Sequence, residues 1–162
     1  MEKKYKLTEE TLEIDGHVLN RIIALRDFGE VKKGDIGGWI EGQENLSHDD
    51  NCWVCGEAKV YGDAIVYGNA TVCGNATVCG DAEVYGNATV CGNAIVEKKS
   101  GYIVFKNWWS SGRYFTWTRS NDMWSVGCFY GTGEELIKKA YKDSEEKGRE
   151  YARIVKYVKS IK

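Results

Sequence analysis

From Val54 to Ile95 the chain repeats a six-residue unit without a break: VCGEAK, VYGDAI, VYGNAT, VCGNAT, VCGDAE, VYGNAT, VCGNAI, with Val96 still in phase. A period this short leaves few folds open. In each unit a Val stands two residues after the preceding Ala, as in Ala58 and Val60. The two therefore share one face of a short strand, and the residue between them points the other way. The Gly-Asn and Gly-Asp pairs tolerate left-handed backbone angles and make the turns between strands. Three such sides close a triangular coil of 18 residues, and successive coils stack at about 4.8 Å, the spacing of hydrogen-bonded strands.

This pattern resembles the hexapeptide-repeat family, which implies a left-handed parallel β-helix. Carried upstream at the same phase, Ile36 falls on the aliphatic position and Ile40, Leu46 and Cys52 on the small one. The phase thus predicts a degenerate first coil over 36–53, coils over 54–71 and 72–89, and a last side to about 97. An array of about three coils needs both open ends capped. The 18-residue stacking also puts Cys55, Cys73 and Cys91 in one outward column beside Trp53, Thr71 and Thr89. Lys59, Thr77 and Ile95 form a second column beside Tyr61 and Cys79. Ile65 and Glu83 form a third, beside Tyr67 and Tyr85. The flat Thr and Cys side reads as a subunit contact or as simple tiling.

The flanks differ in character. Residues 1–35 contain alternating strands either side of Asp15-Gly16, a favoured two-residue turn, and read as a β-hairpin cap. Residues 98–162 begin with three β-type runs, at about 102–107, 113–119 and 123–129, joined by Ser-Ser-Gly and Ser-Asn-Asp turns. Thr132-Gly-Glu-Glu135 is a capping box opening a helix to about 143, and a second helix follows over about 145–160. The fold class is therefore mainly β, with the β-helix at 36–97 between a hairpin and a small α+β module of a three-stranded meander and two helices.

The formal net charge is −2, so no overall field draws the chain to long nucleic acid or to a membrane surface. Without an apolar run of bilayer length it reads as cytoplasmic, and its six cysteines then read as thiols. A column of thiols lies on a line and offers no tetrahedral metal set. Glycines are accounted for by turns, and no cofactor motif is present. Only His17 and His48 could serve as a general base. His17 follows the hairpin turn, and His48 lies in the degenerate coil at a nominal aliphatic position, from which it is displaced outward. Neither reads as catalytic.

Ten aromatic residues lie between Tyr102 and Tyr130. On the strand at 113–119, Arg113, Phe115, Trp117 and Arg119 share one face, and indole with guanidinium suits stacking on a base and pairing with a phosphate. The alternative is a helix-covered core. The candidate ligand-binding residues are Trp108, Trp109, Arg113, Tyr114, Trp117, Arg119 and Trp124, with Arg26, Tyr67 and Tyr85 contributed from elsewhere in an assembly. Residues 27–39, the junction at 45–54 and Gly127-Cys128-Phe129-Tyr130-Gly131-Thr132 further resemble hexapeptide-repeat proteins frequent in phage genomes. That resemblance implies a homotrimer in the host cytoplasm. It gives the expectation of a non-catalytic protein that sequesters a small nucleotide-derived immune signal between subunits, without cofactor or metal. The alternatives are an acyltransferase using acyl-CoA, the activity for which the hexapeptide family is best known, and a structural or protein-binding module.

Overall fold

The computed structural model describes residues 2–107 and 109–162. Strands β1 (Tyr5–Ile14) and β2 (His17–Ala24) form the hairpin. Its turn places Asp15 at φ +50° and Gly16 at φ +80°, the double left-handed geometry that matches strand twist. Strand β3 (Ile36–Ile40) follows, then eight two-residue rungs: β4 (Trp53–Val54), β5 (Lys59–Val60), β6 (Ile65–Val66), β7 (Thr71–Val72), β8 (Thr77–Val78), β9 (Glu83–Val84), β10 (Thr89–Val90) and β11 (Ile95–Val96). The C-terminal module comprises β12 (Tyr102–Lys106), β13 (Tyr114–Thr118), β14 (Met123–Val126), β15 (Phe129–Gly131), α1 (Gly133–Asp143) and α2 (Glu145–Ile161).

The rungs stack in parallel as the period requires. Ile40, Val60, Val78 and Val96 line up on the first side, and Val54, Val72 and Val90 on the third. Leu46, Val66 and Val84 line up on the second. With the alanines between them these residues fill one continuous core. The turn glycine is obligatory: Gly74 sits at φ +64°, and a Cβ there would lie 2.8 Å from the Gly92 nitrogen in the coil above.

The first coil departs from the expected phase. Ile40 and Leu46 occupy aliphatic positions, Gly38 takes the small one opposite Ala58, and Ile36 is exposed. The cause is a local insertion. Leu46 and Val54 are eight residues apart where Val66 and Val72 are six, and the extra residues form the loop around Asp49 and Asp50.

The first side is covered and the third is covered at its two ends. Leu12, Ile14 and Leu19 of the hairpin pack on Trp39, Tyr61 and Cys79 of the first side, and the Tyr61 hydroxyl donates to Asp15. On the third side Trp53 lies edge-on to Tyr5 and Phe28 at one end, and Cys91 sits 3.1 Å from the Ser125 hydroxyl at the other. The second side remains bare, with Ile65 and the stacked pair Tyr67 and Tyr85 facing solvent.

Polarity governs the two caps. Thr71 and Thr77 donate their N–H groups to Ala88 and Ala94 of the next coil, so the equivalent groups of Thr89 and Ile95, in the last coil, have no coil to meet. Thr116 Oγ1 and Ser120 Oγ accept them at 2.9 and 2.8 Å. The Tyr102 hydroxyl accepts from the Tyr85 N–H and donates to the Glu83 carbonyl. At the other end the orphans are carbonyls, and the caps are donors. Tyr5 donates to Leu46 O at 2.6 Å, and the fully buried Lys4 ammonium reaches Cys52 O at 2.7 Å. Thr116→Val keeps the shape but strands a buried N–H, so chemical denaturation should show a loss of about 1–3 kcal/mol.

The meander has a fourth short strand, β15, beyond the three expected, in the order β12-β13-β14-β15. Its hydroxyl-bearing face, with Thr116, Thr118 and Ser125 buried, caps the solenoid. Its other face carries Phe115, Trp117, Trp124 and Val126 against Leu136, Ala140, Tyr151, Val155 and Val158 of the helices. The Thr132–Glu135 capping box is formed as expected.

Candidate functional site

His48 is closed to acid–base work. The Lys4 N–H donates to its Nδ1 at 3.1 Å, so the proton resides on Nε2, 3.1 Å from Gln43 Oε1, and the ring stacks on Tyr5 at 4.2 Å. Its one lone pair is occupied. Burial, joined by the charges of Lys4 and Lys3, lowers its pKa from the usual 6.5. As pH falls through 6.5 the unfolded chain therefore takes up this proton first, and stability drops until the folded pKa is passed. His48→Gln should flatten that part of the stability–pH curve measured by urea unfolding.

The nine described candidate ligand residues do not converge. Arg26 lies at the N-terminal cap, its guanidinium reaching His48 O and the Phe28 ring. Tyr67 and Tyr85 stack on the bare side, where Tyr67 donates to Glu83. Trp117 and Trp124 are only 3 % and 2 % exposed, packed under the helices, so the assignment of these two indoles as ligand contacts is corrected. The apolar face of β13 is core, and the Trp117 Nε1–H is already given to Asp122. Arg119 borders a shallow cavity of about 410 Å³ with Lys98 and Ser120. Arg113 and Tyr114 border another, of about 450 Å³, with Asn87, Ser125 and Cys128. Trp108 lies outside the described residues.

Trp109 has the most built surroundings. Asn107 is buried, its Oδ1 accepting the N–H groups of Ser110 and Ser111 and its Nδ2 donating to Glu150 Oε2 at 2.6 Å. The Ser110 hydroxyl donates to the same carboxylate oxygen at 2.7 Å. Burial pushes the Glu150 carboxyl up, but the bonds from Asn107 and Ser110 outweigh it and hold the group below the usual glutamate value. The loop is thereby stapled to α2. Its indole is left 73 % exposed at a cavity of about 240 Å³, lined by Phe105, Lys106, Asn107, Trp109, Glu150, Arg153 and Ile154. Apolar walls with the Arg153 guanidinium beside the Glu150 carboxylate at the rim suit a planar guest that carries an anionic group. Lys106, Glu150 and Arg153 were missed by sequence reasoning, the only signal being that Glu150, Arg153 and Ile154 share one helix face at spacings of three and four.

The thiol column forms as expected, Cys73 standing in register with Cys55 and Cys91. Among the described residues no group of three or more His, Cys, Asp or Glu could hold a metal ion. Among the described residues no helix is long and apolar enough to cross a membrane.

Fold and surface define a capped β-solenoid of the hexapeptide-repeat kind carrying a small α+β module. The family described as YdcK β-solenoid repeat matches residues 58–74 and 82–98. The chain is also similar to a protein of Escherichia coli (strain K12) described as the uncharacterized acetyltransferase YdcK, at 38 % identity over 60 residues. That alignment covers 32 % of this chain and 18 % of the relative. The chain thus spans under a fifth of that protein's length.

Proposed function

We propose that the chain is a non-catalytic binding protein that holds one small, planar, anionic ligand of nucleotide type at the Trp109 cavity. The observation that carries this reading is the exposed Trp109 indole at a mostly apolar cavity beside Arg153, next to Asn107 and Ser110, which are tied to Glu150 of α2. The capped solenoid is the scaffold. In the fuller form of the proposal the protein is phage-encoded, acts as a homo-oligomer in the host cytoplasm and sequesters an immune signalling nucleotide unchanged. Titration with mononucleotides, ADP-ribose and cyclic di- and trinucleotides tests it. Saturable quenching of tryptophan fluorescence, abolished in Trp109→Ala, supports the reading. No binding at millimolar ligand would sink it.

One observation favours acyl transfer as a second reading, in line with the printed name of the E. coli relative. His17 Nδ1 lies 2.7 Å from Glu41 Oε2; since a carboxylate only accepts, Nδ1 carries a proton, and in the neutral ring the lone pair is on Nε2. A carboxylate-oriented imidazole is the arrangement of a general base. His17 borders no cavity comparable to the Trp109 site among those described. Acetyl-CoA turnover that His17→Ala abolishes would establish this reading over the first.

A further inference from the structure

Strand β12 is the edge of its sheet. Asn107 donates its N–H to Arg113 O, and Arg119 donates to Gly101 O. Hydrogen-bonded pairs alternate in an antiparallel ladder, so Ile103 and Phe105 bond inward to Trp117 and Phe115. The N–H and C=O groups of Tyr102, Val104 and Lys106 therefore point away from the sheet and, among the described residues, meet no further strand. Natural edges are blunted by proline, bulges, inward charges or brevity. Here the chain has no proline, the β12 register runs unbroken over five residues, and Lys106 is the single charge on the strand, Tyr-Ile-Val-Phe-Lys.

We propose that β12 pairs with β12 of a second copy of this chain across a two-fold axis at Val104, making one continuous eight-stranded sheet. The register is self-complementary. Val104 faces its own equivalent, Tyr102 faces Lys106 of the partner subunit, and each of these outward pairs exchanges two main-chain bonds. On the helix-bearing face Ile103 meets Phe105 of the partner subunit, an apolar cross-strand pair. On the solenoid-bearing face tyrosine meets lysine, and no like charges stand opposite.

The same axis accounts for the other uncovered surface. It runs through the sheet, so both solenoids hang from one face. Tyr102, at the start of β12, binds Glu83 and Tyr85, which puts the bare second side beneath this edge. The Ile65, Tyr67 and Tyr85 surfaces of the two copies are brought toward each other. The edge register favours a two-fold contact over the three-fold one that family resemblance suggests; Phe105 and Lys106 also line the Trp109 cavity, but the pairing needs no ligand.

Native mass spectrometry and light scattering of the full chain at micromolar concentration test it, together with Val104→Pro and Lys106→Pro. Both substitutions remove an N–H that points away from β13, so the internal ladder is kept and near-ultraviolet circular dichroism should be unchanged. The expected result is twice the chain mass for the wild type, halved in either variant, with slow amide exchange at Tyr102, Val104 and Lys106 in the wild type alone. A hexamer that falls to a trimer in the variants would equally support the edge pairing. A monomeric or trimeric wild type, fast exchange at these amides, or an even assembly that survives both prolines would overturn it. Should Val104→Pro fail to fold, Lys106→Pro and the exchange data decide.

Discussion

Val72→Asp is expected to abolish cooperative folding of the solenoid. Val72 is fully buried in the middle coil between Val54 and Val90, and the neighbouring N–H groups are spent on the coil-to-coil ladder. A carboxylate there has neither water nor donor. The cost of such a burial is about 5 kcal/mol or more, comparable with the whole stability of an ordinary domain. Far-ultraviolet circular dichroism and urea unfolding should show the loss, and because each coil packs only on its neighbours it should reach both caps. Thr77→Asp is the matched control. That residue points outward beside Lys59, and its change should stay within about 0.5 kcal/mol, as for an ordinary surface substitution. Equal tolerance of both substitutions would contradict the inward and outward assignment.

The second large effect falls on binding. Stacking of a base on an aromatic side chain contributes about 1–3 kcal/mol, so Trp109→Ala should weaken nucleotide binding roughly 5- to 150-fold in calorimetry. With the indole 73 % exposed, the melting temperature should hardly change. Arg153→Glu should weaken binding as well, and should remove much of its salt dependence, because it reverses a charge at the cavity rim. A Trp109→Ala variant that binds like the wild type would move the ligand to another surface, the Arg113 and Tyr114 cavity being next in line.

How much of this was legible from residues alone varies along the chain. The rungs from Val54 to Val96 follow directly from the period, since a two-residue strand with inward Ala and Val admits little else. The first coil escapes the period because an insertion around Asp49 and Asp50 carries no periodic signal; pairing of Ile40 with Val60 becomes visible only once coils stack. Similarly, alternation on β13 separates Phe115 and Trp117 from Thr116 and Thr118 but does not say which face is core. That depends on the orphan N–H groups of Thr89 and Ile95, which call for hydroxyl acceptors, and on the helices, which need an apolar sheet. Those two requirements put Trp117 and Trp124 in the core. The Trp109 site was half legible: the exposed indole could be suspected from its place in a Ser-Gly turn, whereas Glu150 and Arg153 join it across more than 40 residues of sequence. Lys4 gave no sign that its ammonium would be buried over Cys52.

The most direct test of a binding role without chemistry is to load the protein with each nucleotide, wash it, denature it and analyse what is released by chromatography and mass spectrometry. The expected result is one intact nucleotide per chain, chemically identical to that added, with retention lost in Trp109→Ala. Release of an altered nucleotide, or no retention of any nucleotide by the wild type, would contradict it.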